Sequence, residues 1–285
     1  MRPIHLILVI LFFLSNDIFC QNKESKSFLA KQDFLQVSDG PLYMHQSEIS
    51  NRQYHEFLNW KLKNEGLAAY HLMFPDTTVW KDKLTYSEPL INHYFQHPAF
   101  LDFPVVGVSW QQAVAWCNWK ADRLMESAQF KKSGLKEIRL RLPSEKEWMA
   151  AARGGLPETT IYPWPGNSVR MVEGKKRDIG KCLLNITIDS IANSNYAGNL
   201  PDPGFITTHV ASYWPNNIGL YNICGNVAEW IQEKNMAKGG SWNSRANNAR
   251  IDAAPETVPD SGSSSTIGFR PVLEIVSYKN GTQLK

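Results

Sequence analysis

Residues 219–242, GLYNICGNVAEWIQEKNMAKGGSW, constrain this chain more than any other stretch. Amide and carboxylate oxygens, glycines and tryptophans are packed into one short span. Glycine reaches positive φ without steric cost, so Gly219, Gly225, Gly239 and Gly240 permit tight reversals. Trp230 and Trp242 supply large apolar anchors. Asn222, then Gly225, then Glu229 could fold round one hard cation, since calcium collects about six to eight oxygens from carboxylates, amides and carbonyls. The same spacing also suits a tight turn held by Asn and Glu side-chain hydrogen bonds. The residues alone leave both readings open.

The body around this stretch is large enough for one big domain or two small ones, at 285 residues. Apolar residues make up 43%, including 10 Trp, enough for a substantial core. Lys and Arg total 30 against 27 acids, a net charge of +3, which favours neither nucleic acid nor an anionic membrane surface as a partner. Residues 1–20 read as a secretory signal: Arg2, a short apolar run over residues 4–14, then a polar end, with cleavage expected near Cys20 and Gln21. The run is too short for a comfortable bilayer span, and no later one is longer. Phe19 is the wrong residue to precede a lipidated cysteine, so a lipid anchor on Cys20 is not favoured. Beyond the signal, Cys117, Cys182 and Cys224 allow one disulfide at most, and read as small buried hydrophobes.

In chain order, residues 21–33 are expected to be a flexible lead-in and residues 277–285 a tail, with one domain over residues 34–276. Residues 34–43 suggest a strand pair about the Asp39-Gly40 turn. Three capping boxes follow, each opening a helix: Ser50-Asn51-Arg52-Gln53, Ser109-Trp110-Gln111-Gln112 and Ser144-Glu145-Lys146-Glu147. The second and third are preceded by strand-like runs at residues 104–108 and 138–142. Residues 75–98 read as an ordered loop. Within it, His93 and His97 have the spacing of a helical metal pair, but Pro98 and the lack of a following acid favour a structural role. Tyr162-Pro163-Trp164-Pro165-Gly166 is a rigid aromatic turn, and Asn185 and Asn280 head glycosylation-type triplets. Asn195 and Tyr196, with Asp202 and Phe205, suggest a second oxygen-rich site. Residues 240–243 and 268–276 read as two terminal strands. Capped helices among short strands describe an α+β domain.

Several ordered blocks carry a family resemblance. FPVVGVSW at residues 103–110, RLPSEKEW at residues 141–148, NICGNVAEW at residues 222–230, GGSW at residues 239–242 and IGFR at residues 267–270 resemble the formylglycine-generating enzyme, or sulfatase-modifying factor, family. The resemblance implies a loop-rich α+β single domain, similar to C-type lectin domains. PDTTVW at residues 75–80 and YFQHPAF at residues 94–100 look most like the gliding-motility-associated lipoprotein branch, cell-envelope proteins of a secretion and motility apparatus.

The resemblance also implies calcium held by Asn222, the carbonyls of Gly225 and Val227, and Glu229. A second calcium would fall on Asn195, Tyr196, Asp202 and Phe205, with one residue too many for a direct match. Family enzymes oxidise a substrate cysteine with copper on two thiolates. Those positions are Ser244 and Ala249 here, neither of which can offer the soft sulfur that Cu(I) prefers. The expectation is therefore an exported protein of the periplasm or cell envelope that lacks catalytic residues and binds envelope protein partners, compatible with peripheral membrane association. An oxidase or oxygenase with a non-cysteine metal site and a lectin-like binding module, using Trp164 and Trp214, are the alternatives.

Overall fold

The computed structural model describes residues 23–81, 83–84, 86–187, 205–260 and 262–279. The signal segment, Cys20, Asn195, Tyr196, Asp202 and Asn280 lie outside the described residues. All three capping boxes form. Ser50, Ser109 and Ser144 each accept a hydrogen bond from the backbone N–H three residues on, and Gln53, Gln112 and Glu147 reach back to the cap N–H. They open helices α2 (Asn51–Glu65), α5 (Trp110–Glu126) and α7 (Glu145–Arg153). α7 ends at Gly154, which takes the left-handed conformation that closes a helix C-terminus. Shorter helices are α3 (Leu67–Met73), α4 (Glu88–His93) and α6 (Ala128–Lys132).

Two four-stranded sheets complete the domain. The first runs in the order β1 (Phe34–Gln36), β2 (Leu42–His45), β8 (Val272–Tyr278), β3 (Leu135–Arg141), antiparallel throughout. Its first hairpin turns at Asp39-Gly40, as the sequence suggests. The second runs β6 (Glu256–Thr257), β5 (Met236–Lys238), β4 (Ala228–Trp230), β7 (Ile267–Gly268), with β4 and β7 parallel. The largest core cluster joins Tyr54 and Phe57 of α2, Trp116 and Trp119 of α5 and Leu273 and Ile275 of β8. A second surrounds Trp148 of α7, and a third holds Trp80, Tyr94 and Trp242.

Several expectations are corrected. Residues 23–30 are a helix, α1, rather than a flexible lead-in; Phe28 and Leu29 are buried in the main core, and Ser25 Oγ donates to Ser133 O at 2.8 Å. Residues 104–108 form no strand beyond a bridge at Pro104. Pro104 has no N–H to give, and Gly107 turns to φ +73 so that the backbone of Asp76 can approach. A Cβ on Gly107 would stand 2.3 Å from Asp76 O. Residues 240–243 are a turn; the strand there is β5, stopped by Gly239 and Gly240 at φ +104 and +68. Residues 268–276 are split by Pro271 between β7 and β8, and β8 continues to Tyr278, into the expected tail. The loop at residues 75–98 contains α4 and the single-turn helix Thr77–Trp80. Asn185 is buried and donates to Ile206 O and Asn226 Oδ1, so it is enclosed rather than presented for glycosylation. No disulfide joins Cys117, Cys182 or Cys224, all of them buried.

Candidate functional site

Strand β4 points Glu229 into the interior, where it meets Arg270 from the link between β7 and β8. Arg270 Nε and Nη2 donate to Glu229 Oε1 at 2.9 and 2.7 Å, and Trp148 Nε1 donates to Oε2 at 2.8 Å. The guanidinium is completed by His45 O and Tyr221 O, at 3.1 and 2.7 Å. Both charged side chains are fully buried. Burial pushes the Glu229 carboxyl up, opposed by the charge and hydrogen bonds of Arg270. This cluster ties β4, β8 and α7 together; its members come from three distant parts of the chain.

Beside it, Asn222 and Asn226 both adopt positive φ, 49° and 60°, which asparagine tolerates better than most residues. Their amides converge on Glu48. Asn226 Nδ2 donates to Glu48 Oε1 at 2.8 Å, while its Oδ1 accepts from Thr208 N at 2.7 Å. Asn222 Nδ2 stands 3.2 Å from His209 O, 3.2 Å from Val210 O and 3.4 Å from Glu48 Oε2. That is three acceptor oxygens around a group with two hydrogens. Glu48 is fully buried, and no lysine or arginine within ion-pair distance balances it among the described residues. Burial pushes its carboxyl up to about 8, with Arg270 pulling the other way and Glu229 adding to the rise.

These observations test the fit of calcium. Glu48 Oε2 and the carbonyls of His209 and Val210 are hard oxygens of the kind calcium selects, and all three converge on the amide nitrogen of Asn222. Glu229 does not belong to that set, because a cation and an indole N–H already occupy its two oxygens. Gly225 contributes backbone only; a Cβ there would stand 2.7 Å from Asn185 O. The side chain of Val227 packs in the cluster of Trp80 and Trp242. Of the second expected set only Phe205 is described, with its ring 88% exposed. Among the described residues, no group of three or more His, Cys, Asp and Glu could hold a metal. His97 Nδ1 accepts from Ala99 N and caps the turn Pro98–Phe100, which supports a structural role.

The two positions expected to correspond to the family's thiolates, Ser244 and Ala249, follow the GGSW segment. Ser244 Oγ accepts from Ser241 N at 3.0 Å and lies 3.1 Å from Ser241 Oγ, so the hydroxyl closes the turn. Ala249 ends the single-turn helix Ala246–Ala249, fully buried against Gly240. A hollow of about 380 Å³ adjoins them, lined by Gly239, Gly240, Ser244, Asn248 and Glu256. Burial raises the thiols of Cys117 and Cys224, keeping both protonated. Trp164 stacks on Tyr162 at 5.2 Å, and Trp214 is 42% exposed.

Glu48, Trp148, His209 and Val210 escape the sequence reading. Glu48 precedes a capping box and reads as an ordinary surface acid; only its burial marks it. Arg270 is visible as part of GFR, but its partner is not.

Comparison with known proteins bears on this site. The model of the sulfatase-modifying factor enzyme 1-like domain matches residues 23–275. The formylglycine-generating enzyme of Mus musculus is 29% identical over 278 residues, covering 80% of this chain and 64% of that protein, so the chain spans under two thirds of its relative's length. The inactive C-alpha-formylglycine-generating enzyme 2 of Bos taurus is 30% identical over 242 residues, covering 75% of this chain and 67% of that protein. The crystal structure of CarF superposes with a TM-score of 0.51 at 18% identity, over 85% of this chain and 93% of that one, a likeness of fold alone.

Proposed function

Because the chain belongs to the sulfatase-modifying factor enzyme 1-like domain family, we propose that it is a non-catalytic member, a binding or assembly component outside the cytoplasm. The observation that carries this is the chemistry at Ser244 and Ala249. Copper(I) oxidation needs soft sulfur ligands. Here one position is a hydroxyl committed to a turn and the other a buried methyl. A bovine relative described as inactive, 30% identical, is consistent with a scaffold that outlives its chemistry. The finer reading, a part of a gliding-motility or secretion apparatus in the cell envelope, rests on the sequence blocks at residues 75–80 and 94–100, with export resting on the leader.

Calcium is kept in the proposal with one change of ligand. Asn222 holds it with Glu48 supplying the carboxylate, and the carbonyls of Gly225 and Val227 remain in the proposed set. When bound, the ion neutralises a buried acid and stitches residues 209–210 to residues 222–227. Glu229 serves the ion pair with Arg270 instead.

The test is copper titration of the purified protein with a cysteine-containing peptide as substrate. The expected result is no stoichiometric copper and no aldehyde. One equivalent of copper with aldehyde product overturns the proposal. Cell fractionation tests the envelope placement separately, which fails if the protein is recovered wholly in the cytoplasm.

A further inference from the structure

We propose that strand β3 is the edge through which two copies of this chain pair, antiparallel, into one continuous sheet. Among the described residues β3 ends its sheet, with β8 on one side and no strand on the other. The other edge strands, β1, β6 and β7, have three, two and two residues, against seven in β3. The ladder fixes which backbone groups of β3 are open. His45 N donates to Pro271 O and Ile275 N to Pro41 O, so Pro271, Leu273 and Ile275 turn toward β2. Val272 and Glu274 then turn the other way, to Arg141 and Arg139. Ile138 and Leu140 alternate with those two, so their N–H and C=O groups point out from the sheet edge, and no described residue takes them. Their side chains are buried in the main core with Trp116 and Trp119 of α5, so pairing at this edge leaves the core as it is.

Charge complementarity names the occupant. Glu137 and Arg139 are exposed, and neither forms an ion pair with a described residue; Glu274, across from Arg139, lies 3.6 Å from Arg141 instead. A two-fold axis at Ile138 joins that residue to its copy by two backbone hydrogen bonds. It also sets Glu137 opposite Arg139 of the second copy, twice. These are non-hydrogen-bonded positions, where facing side chains stand closest, with about 4.5 Å between Cα atoms. Neighbouring registers lose the match. An axis at Arg139 sets Arg139 against its own copy, and an axis at Leu140 sets Arg139 against Arg141. Like charges directly opposite each other are destabilising.

A foreign strand meets the same open groups, but charged side chains on an edge discourage such pairing unless the incoming strand brings an acid to Arg139 and a base to Glu137. The chain's own strand carries both in the required order. The ladder to β8 shifts register on either side of Glu137, so the regular stretch starts at Ile138 and the contact is short. A short edge contact with exposed ion pairs makes a reversible dimer, governed by concentration and salt. This inference goes beyond the binding role proposed above and is independent of the copper and envelope readings.

The experiment is sedimentation velocity on the full chain over a wide range of concentration, at low and at high salt. The expected result is a monomer that becomes a dimer as concentration rises, with the dimer weakened by salt. Glu137→Arg and Arg139→Glu are each expected to weaken the dimer about tenfold, because each turns two attractive pairs into two repulsive ones. An equimolar mixture of the two variants is expected to restore association, since each then faces its complement. The double variant Glu137→Arg, Arg139→Glu exchanges the charges, keeps the match and is expected to dimerise as the parent does. Association through any other surface is common to parent and variants and shows no such pattern. A parent that stays monomeric at every concentration, single variants that associate as the parent does, or a mixture and a double variant that both stay monomeric would overturn the proposal. None of these outcomes bears on the copper titration or the fractionation, so the readings are separable.

Discussion

Glu48 and Glu229 are both buried, close enough to influence each other's protonation, and balanced in different ways. Glu229 has a permanent counter-charge in Arg270. Breaking a buried pair leaves one charge stranded, which costs about 3–5 kcal/mol. Glu229→Gln is therefore expected to destabilise by that amount in calcium and in chelator alike. Among the described residues, Glu48 has amide donors alone. Glu48→Gln is expected to change stability little in chelator and to erase the rise in melting temperature that the proposed calcium site would give the parent protein. That rise corresponds to about 2.7 kcal/mol at a hundredfold excess over the dissociation constant. An undiminished calcium shift in Glu48→Gln would remove Glu48 from the site. His45 gives a pH-dependent counterpart. Its ring is buried and neutral, Nδ1–H donating to Ser47 O at 2.8 Å and Nε2 accepting from Gln53 at 3.1 Å, and burial lowers its pKa to about 4. Below about pH 6.5 the unfolded chain takes up a proton that the folded chain refuses. The stabilisation is thus complete above that pH and is lost as pH falls toward 4, about 3 kcal/mol in all. Urea titrations at pH 7 and pH 5 should show a shallower decline for His45→Gln than for the parent; identical declines would refute this. The pairings of the two buried carboxylates were not legible from sequence, because they join residues far apart, 41 positions for Glu229 and Arg270 and 178 for Glu48 and Asn226.

At the scale of elements, what could be read was what is made locally. Each capping box is closed by residues three apart, so its chemistry is written in one short string, and all three formed. Ser109→Ala removes the cap of the 17-residue helix α5 and is expected to cost about 1 kcal/mol in urea denaturation. A loss indistinguishable from zero would mean that packing of Trp116 and Trp119 alone holds the helix start. Strands of two or three residues are the opposite case. β4, β5, β6 and β7 exist because their partners lie alongside, and no periodicity over so few residues could announce them. The run at residues 104–108 misled for a related reason. Its valines are buried, as in a strand, but Gly107 spends its conformational freedom on an approach to Asp76. Helix α1 was hidden by polarity: of residues 23–30, just Ser25, Phe28 and Leu29 are buried, too short a stripe to stand out.

For the whole molecule, the question is whether the scaffold depends on the two positions, Ser244 and Ala249, on which the proposed non-catalytic reading rests. Here the two roles are physically separate. The buried network of Glu229, Arg270 and Trp148 holds strands β4 and β8 to α7, and it uses neither Ser244 nor Ala249. Ser244 instead closes its own turn through Ser241, and Ala249 fills the space beside Gly240. Those two positions could therefore vary without loosening the fold, and placing a thiol pair there is a fair test of the proposed reading. The double variant Ser244→Cys, Ala249→Cys is expected to gain stoichiometric copper(I) binding, since two thiolates suit that ion far better than a hydroxyl and a methyl. It is also expected to be less stable by about 1–3 kcal/mol, because sulfur at position 249 overfills a closed site. The parent protein, titrated beside it with a competing chelator, should hold no copper(I). Equal copper affinity in the two proteins would mean that the parent grips the ion through other groups, and the non-catalytic assignment would then fail on the parent protein itself.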